Sequence, residues 1–365
     1  MITLRLPGCM AAITLSLTLA AATARAEPYL AVQQGYKCMS CHVNPTGGGM
    51  RNAFGDIFAQ NVLPARTIEV GDASWTGAVS RFVMLGGDVR GDWTSTDIPH
   101  QQQSNEFDVS DARVYLNVEA IPDRLSVYLD ERFAPGAATS LEAYVRYWTA
   151  DHAWFIRAGR MYLPFGLRLE DDTAFTRTVP GINMTTPDTG VEVGWESTNW
   201  SAQLALSNGS AGGPETDSGK QVTGQIVFVD PRWRIGLASS FNQSDAGDRS
   251  AYGLFGGLKT GPVAWLAEAD LVVDDGFPEG TRNLASALLE ADWAVGRGHN
   301  LKLTAEWFDP DRDVDNDEQT RWSAVYEYSP IQFLQLRGGV RLYDGIPQND
   351  LQNRTMYFLE MHGFF

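Results

Sequence analysis

From Trp75 to the C-terminus, apolar and polar residues alternate with a period of two. In one stretch Ala112, Val114, Leu116, Val118 and Ala120 alternate with Asp111, Arg113, Tyr115, Asn117 and Glu119. In others Leu141, Ala143, Val145 and Tyr147 alternate with Glu142, Tyr144 and Arg146, and Leu301, Leu303, Ala305 and Trp307 with Lys302, Thr304 and Glu306. Trp322, Ala324, Tyr326 and Tyr328 stand likewise against Ser323 and Glu327. A period of two sends successive side chains to opposite faces of a strand. The pattern predicts sixteen strands, near 75–92, 105–119, 124–133, 141–149, 153–161, 190–196, 199–207, 220–229, 232–241, 251–259, 262–272, 283–294, 299–308, 319–328, 331–343 and 353–364.

The predicted connections alternate in length. Short turns fall near Pro122, Asp151, Ser197, Pro231, Pro262, Gly298 and Pro330. Longer polar loops fall near 93–104, 134–140, 162–189, 208–219, 242–250, 273–282, 309–318 and 344–352. An even strand number with alternating short and long connections predicts an all-β fold, a transmembrane antiparallel β-barrel of about 16 strands. A water-soluble sandwich or propeller also alternates, but its apolar faces must meet in a core. Tryptophans at predicted strand ends (Trp93, Trp148, Trp154, Trp195, Trp200, Trp233, Trp293, Trp307 and Trp322) suit the aromatic girdles of a membrane barrel. Short turns and both chain ends then face the periplasm, and long loops face outside. Tyr357, Leu359 and Met361 share the face of Phe365, and the chain ends Gly363-Phe364-Phe365. This resembles the C-terminal aromatic signature of bacterial outer-membrane proteins, and implies the outer membrane of a Gram-negative bacterium.

The first residues differ. Arg5, the apolar run Ala11 to Ala22 and Ala24-Arg25-Ala26 read as a secretory signal peptide over 1–26. Leu6-Pro7-Gly8-Cys9 is a weak lipoprotein match, because no apolar core precedes the cysteine. The rest divides into a segment over 27–71 and a barrel over 72–365. No stretch is apolar enough for a spanning helix. With 28 Lys+Arg against 45 Asp+Glu the formal charge is −17, which excludes generic nucleic-acid binding.

Removal of the signal leaves two cysteines, in Cys38-Met39-Ser40-Cys41-His42. This is C-x-x-C-H, the attachment pattern of a c-type haem. Two residues between the thiols let each reach one of two neighbouring vinyl groups. The adjacent His42 then falls beneath the iron as proximal ligand. A disulfide is the plain alternative. A thioredoxin-like motif needs a βαβ context, whereas 44–49 reads as a loop. A zinc site needs more Cys or His nearby, and none lies between His42 and His100. The forty-odd residues around the motif bury too little to fold alone, so the segment is expected to borrow its walls from the barrel and plug it.

Signal, one C-x-x-C-H segment and a porin-like barrel together resemble the fused monohaem cytochrome–porin family of outer-membrane proteins, proposed as extracellular iron(II) oxidases. The likeness in local sequence runs from Gln34 to Phe58, where Asn52-Ala53-Phe54-Gly55-Asp56-Ile57-Phe58 resembles the F-G-containing stretch after the haem motif. The resemblance implies one covalent haem c on Cys38 and Cys41, with His42 as axial ligand. It also implies extracellular Fe²⁺ as electron donor and a periplasmic c-type cytochrome as acceptor. Gly159 to Leu167 resembles a stretch of anion-selective porins of the phosphate type, but the predicted inward residues carry both signs of charge and do not make a basic lumen.

Met50 and His362 are the candidate sixth ligands, beside no protein ligand at all. His100 is expected in an outer loop, and His152 and His299 in short turns. Asp309 to Glu318 is an acidic loop, but Val314 and Thr320 stand where an EF-hand needs Gly and Glu. Two other readings stay open: a passive diffusion porin in which the segment is only a plug, and a haem-free barrel closed by a disulfide.

Overall fold

The computed structural model describes residues 27–69 and 74–365, so the predicted signal peptide lies outside the described residues. The first half of the sheet runs β1 (Val83–Asp97), β2 (Ser104–Ile121), β3 (Leu125–Ala134), β4 (Thr139–Trp148), β5 (Trp154–Met161), β6 (Asp188–Glu196), β7 (Trp200–Ser207) and β8 (Gln221–Val229). The second runs β9 (Trp233–Asn242), β10 (Arg249–Thr260), β11 (Val263–Asp274), β12 (Arg282–Gly296), β13 (His299–Asp309), β14 (Gln319–Ile331), β15 (Leu334–Asp344) and β16 (Thr355–Phe364). Every strand pairs antiparallel with the next, and β16 closes on β1 from Asp88↔Phe364 to Asp97↔Thr355.

The alternation sorts side chains between the two faces. Val191, Val193, Leu204, Leu206, Leu254, Leu303, Leu359 and Met361 point outward and are exposed. Such a continuous apolar belt is far larger than soluble monomers tolerate and matches the hydrocarbon of a bilayer. Their neighbours in sequence point inward and are buried, among them Asp111, Arg113, Glu192, Lys302 and Glu360.

Four sequence expectations change. The first strand begins at Val83 rather than near 75, because Gly77 turns the chain at φ 75° and Leu85 N–H bonds back to its carbonyl. Leu141, expected outward, is buried. The β3–β4 register shifts between Asp130↔Glu142 and Glu131↔Ser140, so Leu141 is a bulge residue turned onto Tyr162 and Met184. Trp148 shares the inward parity of Glu142 and is buried against Phe155, so it is not part of a girdle.

The largest change is the β5–β6 connection, expected as an outer polar loop. It folds into the barrel instead. Leu163, Phe165, Leu167, Leu169, Phe175, Val179 and Ile182 are buried against inward residues of β7 and β9–β12, such as Ala238, Phe255, Leu266 and Leu288. Its backbone is held by carboxylates of the wall: Leu167 N–H donates to Glu268 (3.0 Å) and Phe175 N–H to Glu306 (2.8 Å). Arg177 also pairs with Glu268.

Candidate functional site in the barrel lumen

Residues 27–69 pack across the end of the lumen closed by the short turns, with Phe54, Ile57, Val62 and Ile68 left exposed. Helix α1 (Pro28–Gln34) has proline near its start, where no N–H is needed, and ends at Gly35 in the left-handed conformation. A Cβ at Gly35 would stand 2.6 Å from Pro231 Cα, so glycine also lets the chain pass the β8–β9 turn. Tyr29 OH donates to Glu327 (2.9 Å), Lys302 to Glu27 (3.0 Å) and Arg234 to the Tyr36 carbonyl (2.6 Å). Lys37 donates to Glu196 (2.9 Å) and to the Trp200 carbonyl (2.7 Å).

The C-x-x-C-H residues form a single tight turn. Cys41 and His42 N–H both donate to the Cys38 carbonyl, at 3.1 Å. His42 then pairs as an antiparallel bridge with Arg51, closed by Val43 N–H to Met50 O (3.0 Å). Between them Gly47, Gly48 and Gly49 all have positive φ. The wall explains the third of these: a Cβ at Gly49 would stand 2.6 Å from Tyr128 OH.

Helix α2 (Ala53–Asn61) is stapled to the turn by Asn52. Its Oδ1 caps the helix by accepting from Gly55 N–H (3.0 Å), and its Nδ2 donates to the Met39 and Ser40 carbonyls (3.0 and 3.1 Å). A Cβ at Gly55 would overlap the Cys41 carbonyl oxygen, which gives the Phe54-Gly55 pair its physical reason.

Cys38, Cys41 and His42 all line one cavity of about 460 Å³ between this segment, the infolded loop and the barrel wall. Leu30, Phe58, Leu167, Val227 and Phe255 give it apolar walls; Arg51, Arg168 and Arg234 supply cations around it, while Glu27, Glu170 and Glu327 add carboxylates on another side, where Arg90 pairs with Glu170. The two thiols are free and half-buried. Burial, and then Cys38 beside it, push the Cys41 thiol up to about 11. That is the reverse of a redox-active C-x-x-C, whose thiolate is stabilised. Burial pulls His42 down to about 4, helped by Arg51 and opposed by the Gly49 and Met50 carbonyls. Its imidazole is neutral at pH 7, as metal ligation requires. Two thiols, a neutral imidazole, apolar walls and peripheral cations form a donor set that fits a c-type haem with its anionic edge. The volume falls within the range of small-molecule and cofactor pockets.

The other candidates separate. Met50 is 1% exposed and packs among Val43, Tyr115, Tyr128, Tyr144 and Met161, away from the cavity. His362 lines the cavity. His100 lies in an exposed loop beside Asp350, and His152 in the β4–β5 turn at φ 54°. His299 reaches the cavity mouth, but its ring stacks on Tyr328 and bonds Tyr326 OH. In the acidic loop, residues 312–316 are exposed.

Sequence reasoning missed a second acidic group. Glu27, Glu170 and Glu327 bring carboxylate oxygens within 4.8 Å of one another. Lys302 stands 3.0, 3.9 and 3.6 Å from them, and Arg337 pairs with Glu170 and with Glu327 (3.3 Å). The group is an ion-pair network that moors α1 and the infolded loop to the wall. Its carboxylates lie up to 300 residues apart, so only the apolar run Tyr162 to Leu169 hinted that its loop goes inward.

No protein-family model matches the chain, and no curated protein does. Among solved structures it is similar to the anion-selective porin from Comamonas acidovorans, with 13% identity over 78% of this chain and 99% of that one, at a TM-score of 0.61. It is also similar to a loop L8 deletion mutant of OmpT of Vibrio cholerae (10%, 78% and 99%, TM-score 0.60) and to the outer membrane channel DcaP of Acinetobacter baumannii (14%, 83% and 100%, TM-score 0.59). The fold is therefore that of a porin-like outer-membrane barrel, closed by sixteen antiparallel strands.

Proposed function

We propose that this chain is an outer-membrane electron-transfer protein, a porin-like barrel that holds one covalent haem c in its lumen. The observation that carries the proposal is the placement of Cys38, Cys41 and His42 on one apolar-walled cavity that the barrel itself completes. When bound, the haem supplies a one-electron couple. The thiols of Cys38 and Cys41 would hold it through thioethers, and His42 would be its proximal ligand. The barrel and the infolded loop exclude water, and the arginines around the cavity would neutralise the anionic edge. Electrons would enter from an extracellular reduced metal such as Fe²⁺, drawn by the net charge of −17. They would leave to a periplasmic c-type cytochrome on the short-turn side, where the segment sits.

The likeness of fold to porins and a channel favours a second reading, a passive diffusion porin whose N-terminal segment is only a plug. In both readings the infolded loop and α1 pack apolar side chains against β7 and β9–β12, with Leu266 and Val272 of the wall almost fully buried, so the two are separated by whether haem is attached and whether solutes pass.

The test is a haem-stained denaturing gel and a reduced-minus-oxidised spectrum of the purified protein from a cytochrome-maturing host. A stained band and a c-type spectrum whose reduced bands appear on adding ferrous iron to the oxidised protein, with no liposome swelling in sugars, would support electron transfer. An unstained band with rapid swelling would establish the porin instead.

A further inference from the structure

We infer that His362 is the sixth ligand of the haem iron, held in place by Asp88. The inference rests on the haem reading above and names the residue of this chain that completes the site.

Two histidines from distant parts of the chain line one cavity, His42 from the N-terminal segment and His362 from the last strand of the wall. The β16 register sets His362 opposite Arg90 on β1 and Gln335 on β15, with inward parity. The residue is 3% exposed. One ring nitrogen, Nε2, engages Asp88 Oδ1 at 2.6 Å. The other, Nδ1, is buried and has no hydrogen-bond partner among the described residues. An enclosed ring nitrogen without a partner is costly, and a metal ion removes that cost.

The support behind the ring matches that of a metal-binding histidine. Ligating histidines pass their second ring N–H to a carboxylate, which fixes the tautomer and raises ligand basicity. Asp88 is itself held from three sides. Tyr115 OH donates to it, Arg51 Nη1 stands 3.8 Å away, and His362 completes the set. Arg51 is the bridge partner of His42, and its guanidinium lies over the Phe364 ring at 4.3 Å. The same few residues thus position both imidazoles. Met50 does not compete, because its side chain is enclosed in a tyrosine-rich cluster and its N–H donates to Tyr128 OH at 2.9 Å.

The experiment uses full-length protein purified with its haem. Electron paramagnetic resonance of the unmutated protein is expected to give the low-spin signature of two histidine ligands. His362→Ala is expected to keep the stained band on a denaturing gel while its iron turns high-spin, and added imidazole should restore the low-spin form. Asp88→Asn should stay low-spin but yield its sixth position to carbon monoxide about 10–100-fold more readily. Met50→Leu should leave the spectrum unchanged. A histidine–methionine signature or a high-spin iron in the unmutated protein, or a stained and still low-spin His362→Ala, would overturn the assignment. An unstained wild-type band would overturn the haem reading itself, and the assignment with it. Should His362→Ala fail to insert, a two-histidine signature that persists in His299→Ala upholds the assignment, and its loss there overturns it.

Discussion

The two arcs of the barrel wall solve the same problem by different physics. Strands β7 and β9–β12 contribute inward Ala205, Ala238, Ala251, Phe255, Leu266 and Leu288, and these pack on the infolded loop and α1 as a hydrocarbon core. The arc from β13 through β16 and β1 to β6 instead contributes paired charges. Arg113 meets Asp130, Arg157 meets Glu192 through two bonds (3.0 and 2.9 Å), Arg321 meets Glu306, and Arg337 meets Glu360. Both arcs show lipid the same outward row of Leu, Val and Ile. The difference teaches that the inward face was shaped by what it touches: the apolar arc by the apolar side chains of the infolded loop and α1, the charged arc by polar groups of both fillings, such as Asp171 and the Phe175 N–H of the loop and the Val43 carbonyl of the N-terminal segment. The cavity with Cys38, Cys41 and His42 lies where these fillings meet, which gives it apolar walls and cations together.

The contrast can be broken most severely in the charged arc. Arg157→Leu leaves Glu192 and Glu142 (3.6 Å from the guanidinium) buried without their cation. It should cost about 3–5 kcal/mol, whereas Arg157→Leu with Glu192→Leu should recover a large part. Denaturant midpoints of the folded barrel, read from the mobility of unheated samples, give both values. A single variant as stable as wild type would remove the claim that these pairs are mutually dependent.

In the apolar arc Leu266→Ala should cost about 3 kcal/mol on the same scale, through lost burial and the cavity left behind. It should be indifferent to salt and pH. A salt-dependent loss would show that water enters this arc.

The third effect separates the lumen segment from both arcs. Burial pushes the Asp56 carboxyl up to about 7, against the pull of Arg51. Its folded-state value thus lies above its unfolded one, so the folded state binds the proton more tightly. Stability should fall as pH rises from about 4 to 7, and the penalty is fully present above 7. Asp56→Asn should flatten that slope in thermal unfolding followed from pH 4 to 8, and an unchanged slope would assign it to another group.

The smallest change expected is at the cap of α2. Asn52→Ala removes the bond to Gly55 and both bonds to the cysteine turn, and should cost about 1 kcal/mol. Its signature is a lower fraction of haem-stained protein at an unchanged barrel midpoint. A fall in that midpoint would show that α2 and the wall unfold together.

How much of this was legible depends on the range of the interaction that decides it. Strand identity follows from parity, a property of adjacent residues. The period of two in Ala112–Ala120 or Leu301–Trp307 therefore placed fifteen of the strands within a few residues, and the barrel with them. The C-x-x-C-H turn is equally local, because Cys41 and His42 both bond the Cys38 carbonyl. Parity fails where a bulge or a turn interrupts it, as at Leu141 and at Gly77. Nothing local distinguished Met50 from His362: one is eight residues from His42 and turned away, the other is 320 residues off and on the same cavity. The sequence by itself thus determined the strands, their closure and the C-x-x-C-H turn. Only the tertiary structure decided what fills the lumen, because the inward loop, the three-carboxylate network and the second imidazole come together through contacts that exist once the sheet has closed.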